Sequence, residues 1–123
     1  MTVIDAGAVV MLLIGGVDHS LIERQVSAPH LIDSEVTHVF RRLVTSRLLS
    51  VAEGDSAFDG FRRLIIRRWP VTHLLDRMWK LRHNVSGYDA TYIALAEALG
   101  VALVTTDQKL AGAPGLRCRV EVV

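Results

Sequence analysis

Short apolar runs alternate along this chain with longer stretches in which apolar residues return every three or four positions, the pattern of strands alternating with amphipathic helices. Thr2-Val3-Ile4 reads as a short strand, with Asp5 directly behind it. Ala6 to Ile14 reads as a helix stopped by Gly15-Gly16. It is apolar almost all round, which predicts cover on both sides, one by the sheet and one by a partner chain. Asp18 to Gln25 is a second, polar helix with Leu21 and Ile22 facing inward. Ala28 to Leu31 is a weak strand, and Pro29 argues for its start or an edge position. Asp33 to Arg47 is a helix on the spacing of Val36, Phe40, Leu43 and Val44, closed by a turn over Leu48 to Glu53. Asp55 to Arg68 is another, with Phe58, Phe61, Leu64 and Ile65 on one face. Trp69-Pro70-Val71 interrupts the pattern and offers a short strand. His73 to Arg82 resumes a helix with Leu74, Leu75, Met78 and Leu81 inward.

The most regular stretch runs from Ser86 to Asp107. Ser86 can cap a helix, and Gly100 suits its left-handed C-terminal position. Val101 to Val104 is a buried strand, and Asp107 stands where that strand ends. Asp107 to Leu110 then forms a single turn, Gly112 to Gly115 a loop, and Arg117 to Val123 a last strand. There is no repeat, low-complexity tract or linker. The alternation predicts an α/β fold around a mainly parallel sheet, and the length predicts a single domain spanning residues 1–123.

Composition narrows the classes of function. Hydrophobic residues make up 50% of the chain, a surplus that predicts a covered partner surface. The net charge of +1 creates no global field towards nucleic acid or membrane. Cys118 is the only cysteine, which excludes an internal disulfide or a cysteine-based zinc site and fits a reducing cytosol. Val9 to Ile14 is far shorter than the roughly 20 residues of a membrane span. It also follows an aspartate rather than the basic segment of a signal peptide. The expectation is a cytoplasmic protein with no membrane association.

Asp5 and Asp107 follow strands, while Glu35 and Asp89 lie in the first turns of helices. In a compact α/β domain, strand carboxyl ends and the starts of the following helices share one edge, so these four acids can converge. Like charges brought together raise one another's pKa values unless something neutralises them. A divalent cation does so, and oxygen-only ligation selects Mg2+ or Mn2+ over zinc. Such a site supports metal-assisted phosphodiester cleavage. Each acid also has a capping role open to it. Asp89 stands at capping-box spacing from Ser86, Asp5 and Asp107 precede helices, and Glu35 suits a helix N-terminus.

The sequence resembles PIN-domain ribonucleases of the VapC toxin type. The resemblance is carried by V-I-D-A at Asp5, L-I-D-S-E-V at Glu35, Y-D-A-T-Y-I-A-L-A-E at Asp89 and L-V-T-T-D at Asp107. It implies a three-layer α/β/α sandwich (PIN-like) and Mg2+- or Mn2+-dependent endoribonuclease activity on RNA. It also implies inhibition by a small cognate antitoxin, and a homodimer. Carried over by position, Asp5, Glu35, Asp89 and Asp107 form the acidic, metal-holding cluster, with Thr106 as a hydroxyl neighbour. One position departs: where the family often has Ser or Thr two residues after the first Asp, this chain has Gly7, and a lost hydroxyl there would weaken metal orientation.

Other chemistries fit less well. A haloacid-dehalogenase-type phosphatase needs an Asp at position 7, and a receiver domain needs paired acids and a late lysine that are absent. No glycine-rich phosphate loop is present. Arg42 lies seven residues after Glu35, roughly 10 Å along the same helix face, and is a candidate contact for substrate phosphate or an antitoxin carboxylate. Arg62, Arg63, Arg67 and Arg68 read first as a solvated helix face and second as an RNA-binding flank. His19, His30, His38, His73 and His83 show no metal-ligand spacing. Trp69 and Trp79 read as core or interface, and Tyr88 and Tyr92 as ambiguous. A housekeeping or DNA-directed nuclease of the same fold and a catalytically silent binding module are the alternative functions.

Overall fold

The computed structural model describes residues 1–15 and 20–123. Five strands form one sheet: β1 (Thr2–Ile4), β2 (Val26–Pro29), β3 (Ile66–Trp69), β4 (Ala102–Thr105) and β5 (Val120–Val122). Their order across the sheet is β3-β2-β1-β4-β5, and every pairing is parallel. Buried on both faces, β1 and β4 are almost wholly apolar, as central parallel strands are.

The helices are α1 (Ala6–Leu13), α2 (Ser20–Glu23), α3 (Leu31–Thr45), α4 (Val51–Arg63), α5 (Leu75–Lys80), α6 (Gly87–Leu99) and α7 (Gln108–Ala111), with a 3-10 turn over Thr72–Leu74 before α5. From β1 through β2 to β3 the chain moves one way across the sheet; it then returns past β1 to β4 and β5. Right-handed crossovers therefore put α1, α3 and α4 on one face and α6 on the other. The packing agrees, since α1, α3 and α4 touch one another, while α6 lies along β1, β2 and β4 and against α5. This is the expected three-layer α/β/α sandwich.

Seven consecutive residues of α6, Ala90 to Ala96, are buried. Its alanines allow close approach to the sheet, and full burial of Ile93 and Leu95 stabilises the fold by about 1.5–3 kcal/mol each. Ser86 caps it by accepting from the Asp89 N–H at 3.1 Å, and Gly100 ends it at φ 67°, a conformation that favours glycine. On the other face, α4 starts in a full capping box: Glu53 N–H donates to Ser50 Oγ at 3.0 Å, and Ser50 N–H to Glu53 Oε1 at 2.9 Å. Gly54 is needed for space there, because a Cβ would lie 2.4 Å from Val44 Cγ2 of α3.

Several expectations need correction. The outer side of α1 is covered by α3 and α4 of the same chain, so the partner chain expected there is not required. The region expected as a turn over Leu48–Glu53 already contains the start of α4, and the helix expected to reach Arg68 ends at Arg63. Leu64 is extended (ψ 136°), and Ile66–Trp69 forms β3. Ile65, expected inward, is 92% exposed, and so is much of Leu75. The second strand lies two residues earlier than expected and is internal, with Pro29 at its end. Of the expected helix from Asp18, residues Ser20–Glu23 are helical and Leu21 is buried; Asp18, His19 and the Ile22 side chain lie outside the described residues. Among the described residues, no helix is long and apolar enough to cross a membrane.

Candidate active site

The strand order reverses between β1 and β4, and in open parallel sheets ligands bind outside the carboxyl ends of the strands at such a point. Register makes Ile4 the partner of Val104, so the next residues, Asp5 and Thr105, emerge side by side. The Asp5 N–H donates to Val104 O at 3.1 Å, which continues the ladder one residue further. Asp5 then caps α1: its Oδ1 accepts from the Ala8 N–H at 2.9 Å. Its Oδ2 accepts from the Thr105 hydroxyl, and the Thr105 Oγ1 in turn accepts from the Asp107 N–H at 3.0 Å. Asp107 caps α7, with its Oδ1 accepting from the Lys109 N–H at 2.9 Å. Capping and convergence are thus compatible, since a carboxylate oxygen has a second lone pair to offer.

Glu35 comes from the second turn of α3, which follows β2, and Asp89 from the first turn of α6. Burial pushes the Asp5 carboxyl above the usual carboxylate range; the Thr105 hydroxyl and Ala8 amide oppose this, and the charges of Asp89 and Glu35 add to it. Burial likewise raises Asp89, with the Ser86 hydroxyl opposing and the Asp107 charge adding. Among the described residues none of the four has an ion-pair partner. Glu35 Oε1 is buried without a hydrogen bond. This is negative charge left uncompensated by protein, which a hard divalent cation would satisfy. The acids are nonetheless spread: among the described residues no three acid, thiol or imidazole side chains close on a single point.

Two neighbours matter beyond the expected set. Thr105, fully buried, holds Asp5 and Asp107 together, whereas the resemblance points to the adjacent Thr106. The signal for Thr105 was its place as the last residue of the strand beside β1. Tyr92, one turn after Asp89, is buried, and its hydroxyl faces the Glu35 carboxylate without closing a full hydrogen bond. Burial and the Glu35 carboxylate push its phenol far above its ordinary value, so it stays protonated.

Arg42 is exposed on α3, two turns beyond Glu35, beside a surface concavity of about 480 Å³ that it lines with Val39, Leu43 and Leu48. The arginine cluster divides. Arg63 pairs with Asp59 on α4, whereas Arg67 and Arg68 belong to β3. Arg67 stacks 4.1 Å from the Trp69 ring centroid. Arg68 binds Asp33 through both carboxylate oxygens, at 2.7 and 2.8 Å, which ties the start of α3, and hence Glu35, to the sheet.

Known proteins share this fold. The PIN domain family model matches residues 2–116. The chain is 41% identical over 125 residues to ribonuclease VapC9 of Mycobacterium tuberculosis, covering 100% of this chain and 98% of that protein. To ribonuclease VapC1 of the same organism it is 45% identical over 128 residues, covering 98% and 96%. Among solved structures, VapBC2 from Rickettsia felis, bound to a DNA fragment from their promoter, superposes with a TM-score of 0.68 at 16% identity, covering 99% of this chain and 98% of that one. That last likeness concerns fold alone. With a family match over nearly its whole length and relatives above 40% identity, the chain belongs to the PIN-domain family, among the VapC ribonucleases.

Proposed function

We propose that this protein cleaves RNA as a divalent-cation-dependent endoribonuclease, the toxin of a toxin–antitoxin pair, with Asp5, Glu35, Asp89 and Asp107 as its site. The observation that carries this reading is one buried hydroxyl at the β1/β4 reversal that holds the Asp5 carboxylate and the Asp107 backbone N–H, with the charges of Asp89 and Glu35 felt at Asp5. The donors are all oxygen, which suits Mg2+ or Mn2+. When bound, such a cation supplies Lewis-acid activation of water and offsets the charge that develops on the phosphate. Asp5, fixed by Ala8 and Thr105, and Glu35, with its free buried oxygen, are the anchors; Asp89 and Asp107 complete the rim.

The chain's own cations handle the substrate's charge. Arg42, exposed on the helix that carries Glu35, is the candidate contact for a substrate phosphate or an antitoxin carboxylate. Relatives solved as VapBC complexes support a small antitoxin as partner. A homodimer belongs to the same reading, with Leu75 and Trp79 of α5 as apolar surface left uncovered within the chain. The cytosol, with its RNA and reducing conditions, is the setting.

The test is RNA cleavage with Mg2+ or Mn2+, comparing wild type with Asp5→Asn and Asp89→Asn and with EDTA added. Each change should lower cleavage by about a hundredfold or more, since the site supplies several kcal/mol of transition-state stabilisation. Undiminished activity in both variants would overturn the assignment. Equal cleavage of single-stranded DNA would move the substrate class.

A further inference from the structure

Gly7 lies in the first turn of α1, and its φ is not among the positive values found at Gly15, Gly100 and Gly115. Backbone freedom is therefore not what residue 7 requires. Space is. A Cβ at that position would lie 2.7 Å from Thr106 Oγ1 and 3.6 Å from Asp5 Oδ1. The hydroxyl of Thr106 thus stands over the first turn of α1, in the volume a side chain at residue 7 would fill, beside the capping oxygen of Asp5. Thr105 and Asp107, on either side of it, are already bound into the β1/β4 junction, so the Thr106 backbone is held in place. Within the described residues the Thr106 hydroxyl has no protein hydrogen-bond partner, and its side chain is half-buried. A donor and acceptor left free beside a site carboxylate is available to whatever occupies that site.

We propose that Gly7 and Thr106 work as a pair: the missing side chain at residue 7 admits the Thr106 hydroxyl, which is a positioning group for the hydrated divalent cation held by the acids. The inference rests on the metal-site reading above. The departure at Gly7 then relocates a hydroxyl rather than losing one.

Isothermal titration of Mn2+ into the protein alone, without RNA, tests it. Thr106→Ala should weaken Mn2+ binding by about tenfold, the lower end of what outer partners of a metal site contribute, and Thr106→Ser should restore it. Gly7→Ala should weaken binding similarly by driving the hydroxyl away. The double variant Gly7→Ala/Thr106→Ala should bind no worse than either single one, because both remove the same group. Asp5→Asn is the reference and should bind poorly. Wild-type affinity in Thr106→Ala alongside a weakened Asp5→Asn would overturn the pair and leave the metal site standing. Wild-type affinity in Asp5→Asn would overturn the metal site and this proposal with it.

Discussion

The Thr105 hydroxyl donates to Asp5 Oδ2 and so ties two residues 100 positions apart into one edge. The same oxygen accepts from the Asp107 N–H, and one buried side chain thereby sets two candidate ligands. Thr105→Val keeps the shape but leaves a carboxylate oxygen and an amide unpaired. The expected loss is about 1–3 kcal/mol of stability, measured by urea denaturation. Because the hydroxyl lowers the Asp5 pKa, its removal should also move the acidic limb of the cleavage pH profile upward. An unmoved limb would show that Thr105 is only a packing residue.

The raised carboxyls of Asp5 and Asp89 have a consequence for the metal-free protein. Their folded pKa values exceed the unfolded ones, so the folded state holds more protons in the interval between the two. Their contribution to stability is full below the ordinary carboxylate pKa and is lost as pH rises through the raised folded value. In EDTA at neutral pH, Asp5→Asn and Asp89→Asn should therefore melt a few degrees above wild type while losing cleavage. Divalent cation should raise the wild-type melting temperature more than theirs. Melting below wild type in EDTA would contradict this account.

Tyr92→Phe removes a buried hydroxyl that closes no full hydrogen bond. Stability should stay within about 1 kcal/mol of wild type, and the far-UV spectrum should not change. Denaturant titration decides; a loss well beyond that figure would make the hydroxyl a structural partner of Glu35.

Away from the site, Arg77 of α5 grips Glu97 of α6 at 2.6 and 3.1 Å, and the Glu97 side chain is only 9% exposed. Burial alone would raise the Glu97 carboxyl, but the Arg77 guanidinium and the Arg117 N–H outweigh it and hold it low. Breaking the pair with Glu97→Gln should cost about 3 kcal/mol at neutral pH. With the folded pKa depressed, the pair's contribution is present above the ordinary carboxylate pKa and fades as pH falls through the lowered value. The gap between wild type and variant should narrow in acid. Cleavage below the melting range should be unaffected.

The sequence by itself determined the parts that depend on neighbours in the chain. Ser86 and Gly100 delimit α6 through caps made within a few residues, and the acids at strand ends and helix starts follow from periodicity alone. Where local signals are degenerate, the sequence does not decide: Phe61 to Trp69, with arginine pairs five apart, suits a helix as well as an edge strand, and only pairing with β2 makes Ile66–Trp69 β3. The cover of α1 was likewise undecidable, because an apolar helix does not say whether α3 and α4 or another chain will lie on it. The hydroxyl that binds Asp5 was chosen by sheet register. Thr105 and Thr106 are identical in type and adjacent, but pairing of Ile4 with Val104 sends the first to Asp5 Oδ2 and the second over Gly7. That choice belongs to tertiary structure, because it depends on two strands meeting whose contact no local pattern encodes.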